Sequence, residues 1–348
     1  MPVNFPFPAL VCDIGGTNVR FAVASRAGAP LSQVLHKKTD AYPSLEAAAA
    51  EVIPCFAEKP RSMIVCAAGL VEGKEAKLTN AAWMIDGVAV AARLGLEQGL
   101  LLNDFEAQAL SLPTLPAGSF EVIGPGCKMG AGTQVILGPG TGLGVAALIE
   151  AEGKFLALPS EGGHIDFGPA SAEEAAIWAH LDRSSLGRIS AELILSGPGL
   201  VRLHHACLAS KGEIAADLDS PTIVQHALAR PDGEEARTIG LFWRLIARFA
   251  SDMAVTFKAN GGITFSGGIL PRIRTLLDPA VFRAQFENKA PFHAFTQSMG
   301  TRLIVTEDGV LVGMAAIAAD PNRYAIDYAG RAWRHYAALE AGSNVSTE

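Results

Sequence analysis

The chain has little of what marks secreted, membrane-bound or nucleic-acid-binding proteins. Its five cysteines are odd in number and form no C-x-x-C pair, which argues against a disulfide framework or a zinc site and predicts reduced thiols in the cytoplasm. No block rich in lysine and arginine occurs and the formal net charge is −7, so neither nucleic acid nor an anionic membrane surface is the expected partner. The start of the chain is proline-rich and lacks a basic segment, which is not the pattern of a signal peptide.

Charged residues are also scarce, at 18% of the 348 residues, whereas hydrophobic residues reach 49%. This composition can fill large cores, and the length predicts two domains. Residues 129–149 carry no charge and are long enough to span a bilayer, but repeated glycines divide them into strand-sized apolar runs. A buried strand, a loop and a second strand are the better interpretation of this segment.

The first glycine loop follows a short apolar run that ends near Asp13. The loop itself consists of Gly15, Gly16, Thr17 and Asn18. Because the apolar alternation resumes at Val19, the pattern predicts a buried strand, a tight turn and an antiparallel strand. Bare backbone N–H groups in the turn suit a phosphate, and Asp13 could hold a hydrated Mg²⁺. Taken alone, an ordinary hairpin with turn-forming polar residues explains the stretch as well.

Two further glycine loops follow predicted strands in the same way. The second lies between the apolar runs 135–137 and 145–149 and contains Gly138, Gly140, Thr141 and Gly142. The third follows the run 263–265 and contains Gly267 and Gly268. Three such loops predict a nucleotide held between two lobes. The similarity of 134–149 to 10–24 further suggests that one lobe design is used twice.

Predicted strands alternate with predicted helices along the first part of the chain. Apolar segments at 62–67 and 100–102 indicate buried strands, while Ser44 and Asp86 begin helical patterns. This alternation implies an α/β domain with a partly parallel sheet. Prolines after residue 112 mark the end of that domain.

The later part of the chain predicts a second domain of similar type. Apolar runs at 120–123 and 303–305 indicate strands, and residues 309–319 indicate a buried helix of small residues. Near the end, Trp333 and Tyr336 stand at helical spacing. We therefore expect the tail to pack as a final helix.

Asn103 and Asp104 directly follow a predicted strand, at the carboxyl end where open α/β sheets display functional groups. An aspartate in this place can accept a proton from a bound hydroxyl while phosphates lie opposite. The alternative is that Asp104 only caps the helix predicted from Phe105.

Other polar candidates come after the second glycine loop. Glu161 and His164 share one small-residue turn, where they could bind two sugar hydroxyls, although a metal half-site or a solvated loop fits the same spacing. Glu192 follows Ser190 near a predicted helix start, where an acid is common for helix stability alone. Combined with three glycine loops, these residues favour the functional interpretation.

Eight short motifs, in their order and spacing, resemble the bacterial ATP-dependent glucokinases of the actin/hexokinase-like ATPase superfamily. They are Asp13–Asn18, Thr79–Asn80, Leu102–Phe105, Gly138–Gly144, Pro159–His164, Ser190–Glu192, Leu195–Gly199 and Ser266–Ile269. The match covers nearly the full chain and is far more specific than any single glycine loop. Ser160 stands where many relatives carry glycine, which leaves the interpretation of Glu161 unchanged.

The resemblance implies an α/β fold of two ribonuclease-H-like lobes with mixed sheets around a central cleft, often assembled as a homodimer. Residues 1–112 with 320–348 would form a small lobe, and residues 113–319 a large lobe. Asp104 would be the general base, and the glucose ligands would be Asn80, Asn103, Asp104, Glu161, His164 and Glu192. The first two glycine loops would bind the phosphates of ATP, with Mg²⁺ near Asp13, and the third would lie near adenosine.

The function implied by the resemblance is that of a glucokinase, which transfers the γ-phosphate of ATP to the 6-hydroxyl of D-glucose in the first step of glycolysis. Two alternatives remain: a kinase for mannose, fructose or an N-acetylhexosamine, and a non-catalytic, nucleotide-switched actin-like protein. Asp104 with Glu161 and His164 favours a sugar kinase, because an actin-like switch needs no hexose pocket. A cysteine-rich zinc motif and N-terminal DNA-binding helices, both typical of related sugar-responsive repressors, are missing, which disfavours that role.

Overall fold

A computed structural model describes residues 4–79, 81–124, 128–182 and 187–334, which form two compact units. Unit 1 comprises Met1–Ala117, Glu150–Ala157 and Thr306–Glu348, and unit 2 comprises Gly118–Ile149 and Leu158–Val305. Asn80 and Tyr336, two residues named in the sequence-based predictions, lie outside the described residues.

The strands and α-helices follow each other along the chain in the alternation that the sequence predicts. The strands are β1 (Ala9–Ile14), β2 (Asn18–Ala24), β3 (Leu35–Lys38), β4 (Ser62–Ala67), β5 (Gly69–Glu72), β6 (Glu75–Leu78), β7 (Met84–Asp86), β8 (Gln98–Asn103), β9 (Phe120–Val122), β10 (Gln134–Pro139), β11 (Leu143–Ala151), β12 (Lys154–Ser160), β13 (Gly262–Phe265), β14 (Thr301–Ile304) and β15 (Ala332–Arg334). The α-helices are α1 (Leu45–Val52), α2 (Gly87–Leu94), α3 (Asp104–Ser111), α4 (Ala172–Trp178), α5 (Ala191–Ile194), α6 (Gly197–Ala209), α7 (Ser220–Ala229), α8 (Glu234–Thr256), α9 (Pro279–Glu287), α10 (His293–Gln297), α11 (Gly309–Ala319) and α12 (Tyr328–Arg331).

The two main sheets share one topology. The first has the order β15-β8-β4-β1-β2-β3 and the second the order β12-β11-β10-β13-β14-β9. In the first, β1 is antiparallel to β2 and parallel to β4, and β4 is parallel to β8. In the second, β10 is antiparallel to β11 and parallel to β13, and β13 is parallel to β14. Each sheet ends in an antiparallel strand, β15 or β9. Mixed sheets of one design, used twice, are what the similarity of the two glycine hairpins predicts.

The local sequence explains why the elements of unit 1 form where they do. All residues of β4 are buried, as expected for a parallel strand covered on both faces. Ser44 caps α1 by accepting a hydrogen bond from Ala47 N, and Asp86 caps α2 by accepting from Val88 N. A smaller sheet, β5-β6-β7, lies in the same unit.

Unit 2 is built around one long helix. In α8 the apolar residues recur at helical spacing, and Phe242, Leu245, Ile246 and Phe249 are fully buried in the core that also contains β10 and β13. Burial of each such side chain contributes about 1.5–3 kcal/mol. The core of unit 2 therefore supports the strands that carry the second and third glycine loops.

Helix α11 has the bounds that the sequence predicts, but its place differs from the expected division into lobes. The sequence-based division puts 309–319 in the large lobe, whereas the structure groups α11 with unit 1. The reason is close packing on α3: a Cβ added at Gly313 would lie 2.3 Å from Ser111 Cβ. Residues 150–157 also belong to unit 1, where Phe155 forms a β-bridge with Tyr324.

The prediction of a final helix around Trp333 is wrong. Trp333 lies in β15, which is antiparallel to β8, and only the short α12 precedes it. Its indole is fully buried over Gly87 and Gly99, whose missing side chains leave room for the ring. Pairing with β15 satisfies the backbone N–H and C=O groups at the edge of β8. A helix at this position would leave those groups without partners.

The described part of the chain contains no helix that is long and apolar enough to cross a membrane. The uncharged segment 129–149 instead contributes β10 and most of β11. The interpretation of this segment as strand, loop and strand is confirmed.

Replacing Gly87 by alanine tests the fit of the Trp333 ring. The nearest neighbours of a Cβ at Gly87 would be three atoms of the indole, at 2.3–2.8 Å, so Gly87→Ala should destabilise the protein by about 1–3 kcal/mol. The same change in a Trp333→Phe background should cost less, because the smaller ring leaves space. Urea unfolding of the wild type, the two single variants and the double variant measures the coupling energy between the two positions.

The packing described would be contradicted if the losses of stability in the two single variants simply added up in the double variant. Gly118→Ala, where a Cβ meets open space, is the control.

Candidate active site

The first glycine loop joins β1 to β2 and is fixed from both sides. Gly15 N donates to Asn18 O at 2.9 Å, which closes the turn. Thr39, fully buried, donates from its hydroxyl to Gly15 O and from its backbone N to Thr17 O, both at 3.0 Å. The loop residues Gly15, Gly16, Thr17 and Asn18 thus lie in one tight turn next to Asp13 in β1. This arrangement suits the predicted phosphate contact.

Asp13 is bound by two side chains that the sequence analysis did not single out. Arg20 donates from Nε to Asp13 Oδ2 at 3.1 Å, with a second bond from the guanidinium to the same oxygen. The Cys66 thiol donates to Asp13 Oδ1 at 3.2 Å, and burial together with the negative charge of Asp13 raises the pKa of that thiol, which keeps it protonated. Arg20 also donates to the backbone of Glu307. The orientation of the Asp13 carboxylate is therefore determined by a cation and a thiol.

Asn103 and Asp104 mark the junction of β8 and α3. The cap of α3 is Asn103, whose Oδ1 accepts from Phe105 N at 2.9 Å and from Glu106 N at 3.2 Å. The alternative that Asp104 serves as the cap is therefore wrong, because Asp104 is the first residue of the helix. Asn103 also donates from Nδ2 to Gly69 O at 3.2 Å. Both polar atoms of the Asn103 side chain thus bond to the backbone, and one amide hydrogen remains that can bind a ligand.

The carboxyl group of Asp104 has a perturbed acidity. Burial raises its pKa from 3.8 to about 7, and the negative charge of Asp13 adds to this effect, against the lowering effect of nearby backbone N–H groups. The residue is only partly buried by surface area, so the carboxyl remains reachable. A strand-end carboxyl group that titrates near neutral pH can act as a general base.

In unit 2 three of the glycine-containing motifs, Gly138–Gly144, Leu195–Gly199 and Ser266–Ile269, lie against one another. A Cβ at Gly138 would lie 2.2 Å from Ser266 O, so the second and third loops are in backbone contact. Gly197 N, at the start of α6, donates to Gly140 O at 2.8 Å. Gly140 itself has no other residue within 4 Å of an added Cβ. Gly140, Thr141 and Gly142 thus form the turn between β10 and β11, while Gly267 and Gly268 follow β13 beside it.

Glu192 and the Glu161–His164 turn also converge on the second loop. Glu192 Oε2 accepts from Leu143 N at 2.9 Å and occupies the space that a side chain at Gly142 would need. Gly163 packs against the backbone of Leu143, where a Cβ would come within 2.2 Å of the carbonyl oxygen. The structure thus brings together in unit 2 the motifs that the sequence places far apart.

The side chains of Glu161 and His164 in this turn are open to solvent. The side chain of Glu161 is 90% exposed and that of His164 is 51% exposed, with Glu161 Oε2 3.6 Å from His164 Nε2. Ser160 accepts a hydrogen bond from Gly162 N at 3.0 Å. The serine hydroxyl therefore stabilises the turn without covering the two polar side chains.

A protein-enclosed metal site is not found among the described residues, since no three histidine, cysteine or acidic side chains group together suitably. Asp13 alone fits a different type of site. Each of its oxygens already accepts from one side chain, and a carboxylate oxygen keeps a further lone pair. Mg²⁺ retains several waters and takes few protein ligands. The donor set therefore fits a Mg²⁺ held mainly by phosphates and water.

The sequence analysis did not identify Arg20 or Thr39, although the sequence pattern could have indicated Arg20. In a hairpin with a turn centred on Gly15–Asn18, the position opposite Asp13 is Arg20, as the observed register shows. Counting outward from the turn would have identified Arg20. Thr39 lies beyond β3, and its contact with the loop has no local signal.

The sequence matches the family model for glucokinase over residues 10–321. The glucokinase of Sinorhizobium medicae is 39% identical over 332 residues, which cover 95% of this chain and 98% of that protein. A glucokinase from an Antarctic psychrotroph has a crystal structure that matches with a TM-score of 0.77 at 28% identity, covering 90% of this chain and 99% of that one. The glucokinase of Balamuthia mandrillaris in complex with glucose matches in fold, with a TM-score of 0.72 at 21% identity over 89% of this chain and 93% of that one.

These similarities extend over both units, and they confirm the predicted two-lobed α/β fold class. They also confirm that the protein is an enzyme of the phosphotransferase type. By the match of the family model and by its identity to curated relatives, the chain belongs to the glucokinase family.

Proposed function

We propose that this chain transfers the γ-phosphate of ATP to the 6-hydroxyl of D-glucose and so supplies glycolysis with glucose 6-phosphate. The observation that carries the proposal is Asp104, a carboxyl group at the end of β8 with a pKa of about 7. A base of this acidity is matched to proton transfer at neutral pH. Membership of the glucokinase family implies ATP as the donor, and the Balamuthia mandrillaris relative is a glucokinase with glucose bound.

Asp104 would accept the proton of the attacking hydroxyl as the bond to phosphorus forms. In phosphoryl transfer most of the catalysis comes from positioning and from neutralising charge on the transferred group. The backbone N–H groups of the loops at Gly15–Asn18 and Gly138–Gly142 would bind phosphate oxygens. By the family resemblance, Gly267 and Gly268 would lie beside adenosine, and their loop packs on Gly138.

Asp13 would be the protein group nearest to Mg²⁺, with water between them. A Mg²⁺ held there would supply positive charge that offsets the negative charge of the phosphates. Arg20 and Cys66 would orient the Asp13 carboxylate toward that hydrated ion. The chain's own contribution is thus one fixed carboxylate and not a cage of ligands.

The sugar would be bound by side chains that still have free hydrogen-bonding capacity. Glu161 and His164 are exposed and adjacent, and each can bind a hydroxyl group. Glu192 has one oxygen bonded to Leu143 N, so its other oxygen would receive a hydroxyl. Asn103 would contribute the amide hydrogen that its backbone contacts leave unused, and Asn80 is proposed from the family resemblance alone.

A coupled assay with a panel of sugars tests the proposal. Glucose should give the highest kcat/KM among glucose, mannose, fructose and N-acetylglucosamine. A different preferred sugar would change the substrate but keep the chemistry. ATP binding without phosphorylation of any sugar would instead favour a nucleotide-switched protein.

Asp104→Asn should lower kcat by at least ~10²-fold, because the amide cannot accept the proton. The variant should also be more stable than the wild type above pH 7. In the folded wild type Asp104 keeps its proton up to about pH 7, whereas the unfolded chain, with a pKa near 3.8, has already lost it. The free energy of unfolding of the wild type therefore falls as the pH rises to about 7, because the folded state must then hold a buried carboxylate. Below pH 4 the two proteins should melt at similar temperatures. Asp40→Asn, at an exposed site in unit 1, is the control, and near-normal turnover in Asp104→Asn would remove this residue from the mechanism.

The pH dependence of kcat/KM for the wild type provides a separate test. Only the carboxylate form of Asp104 can accept a proton, so the rate should rise with pH and level off above about 7. This limb should be absent from the residual activity of Asp104→Asn. A profile that is flat through neutral pH would contradict a base of this acidity.

Gly140→Ala should weaken ATP binding with little effect on glucose. No residue lies within 4 Å of a Cβ added at Gly140, so the protein tolerates the methyl group and only an approaching phosphate meets it. Isothermal titration with each ligand measures the two affinities. Gly168→Ala is the matched control, since its Cβ also meets open space. Unchanged ATP affinity would show that phosphate does not approach this part of the loop.

A further inference from the structure

The start of α3 is fixed by reciprocal hydrogen bonds on both sides of Asp104. Asn103 accepts from the backbone of Phe105 and Glu106, and Glu106 Oε2 accepts from Asn103 N at 3.2 Å. This is a capping box, in which two side chains satisfy the free N–H groups of one helix end. Asp104 lies between the two partners, so the box determines where its backbone lies.

Glu106 is a buried carboxylate that depends on one cation. Its residue is only 6% exposed, and Arg331 binds both of its oxygens, with Nη1 2.7 Å from Oε1 and Nη2 2.6 Å from Oε2. A buried carboxylate without its partner becomes protonated or turns toward water. Either change disturbs the oxygen that accepts from Asn103 N.

The two elements at the end of the described chain, α12 and β15, fix the position of Arg331. It is the last residue of α12, whose cap Asp327 accepts from Gly330 N at 3.0 Å. The next strand, β15, sets Trp333 opposite Gly99 of β8. The guanidinium therefore comes from a segment paired with the same strand that leads into Asn103. This segment lies beyond residue 321, where the match to the glucokinase family model ends.

We infer that Arg331 is a positioning residue for Asp104, acting through Glu106 and the capping box of α3. The inference rests on the proposed role of Asp104 as the base. Arg331 bonds to Glu106, and its effect on the reaction is to keep the first turn of α3 in one place. Because a misplacement of about 1 Å can cost 10²-fold in rate, a loosened helix start should lower kcat more than it changes substrate binding.

Arg331→Met is the first test, since methionine keeps much of the aliphatic side chain and removes the charge. It should lower kcat by about tenfold or more and leave both KM values within about threefold. Hydrogen exchange followed by mass spectrometry should show faster exchange in peptides covering residues 103–106. Arg334→Met, at an exposed arginine of the same strand β15, should leave both kcat and exchange unchanged.

The double variant Arg331→Met with Glu106→Gln separates positioning from general stability. Glutamine retains an oxygen that can accept from Asn103 N, and it carries no charge that needs Arg331. The double variant should therefore recover kcat to within about threefold of the wild type, together with slow exchange at 103–106. Glu106→Ala in the same background should recover neither, because the capping oxygen is gone.

Three outcomes would overturn the inference. They are a lower melting temperature of Arg331→Met with wild-type kcat in the folded enzyme, unchanged exchange at 103–106, and no recovery in the double variant. Failure of the proposed function gives a different result: the wild-type chain would phosphorylate no hexose, or Asp104→Asn would retain turnover. The exchange experiment needs no activity, so it still tests the link from Arg331 to the helix start in that case.

Discussion

Strands β1, β4 and β8 run parallel and in register, so their carboxyl ends lie at one edge of the sheet in unit 1. Asp13 is opposite Cys66, and Ala67 is opposite Asn103, which brings the strand-end residues of three distant segments together. The proximity has an electrostatic effect, because the charge of Asp13 helps to raise the pKa of Asp104. A shift of β1 by one residue would exchange the two faces of the strand. Asp13 would then point into the core that now contains Cys12, and Cys12 would take the place of Asp13.

In unit 2 the corresponding constraint is close contact between backbones. Gly138 and Gly163 are positions where the protein itself needs the absence of a side chain, since a Cβ would collide with a carbonyl oxygen. Gly142 leaves room for the Glu192 carboxylate, whereas Gly140 faces open space. The glycines of one motif therefore have different uses, and only Gly140, where an added Cβ meets no other residue, gives a direct measure of ligand approach.

Periodicity and turn residues predict most of the fold. The strand at 62–67, the helix at 309–319 and the caps Ser44 and Asp86 all follow from local patterns and are confirmed. The family resemblance also names the residues of the candidate site, among them Asp104 and Glu161, whose roles stay predictions. What local patterns cannot show is pairing between distant segments, and so Arg331 and the strand at Trp333 are missed. Helical spacing at Trp333 is overridden because β8 offers an edge and two glycines leave space for the ring.

The pairing of β15 with β8 also has a consequence for biosynthesis. A chain emerging from the ribosome completes β8 and α3 long before residues 328–334 are made, and during that interval Glu106 has no cation to bind. Unit 1 also requires α11, so it cannot be finished until unit 2 has been translated. The nascent chain therefore exposes the edge of β8 for most of its synthesis, which makes this edge a point where chaperones or aggregation compete with native pairing. A product that ends before residue 328 would lack both the cation that binds Glu106 and the strand that pairs with β8.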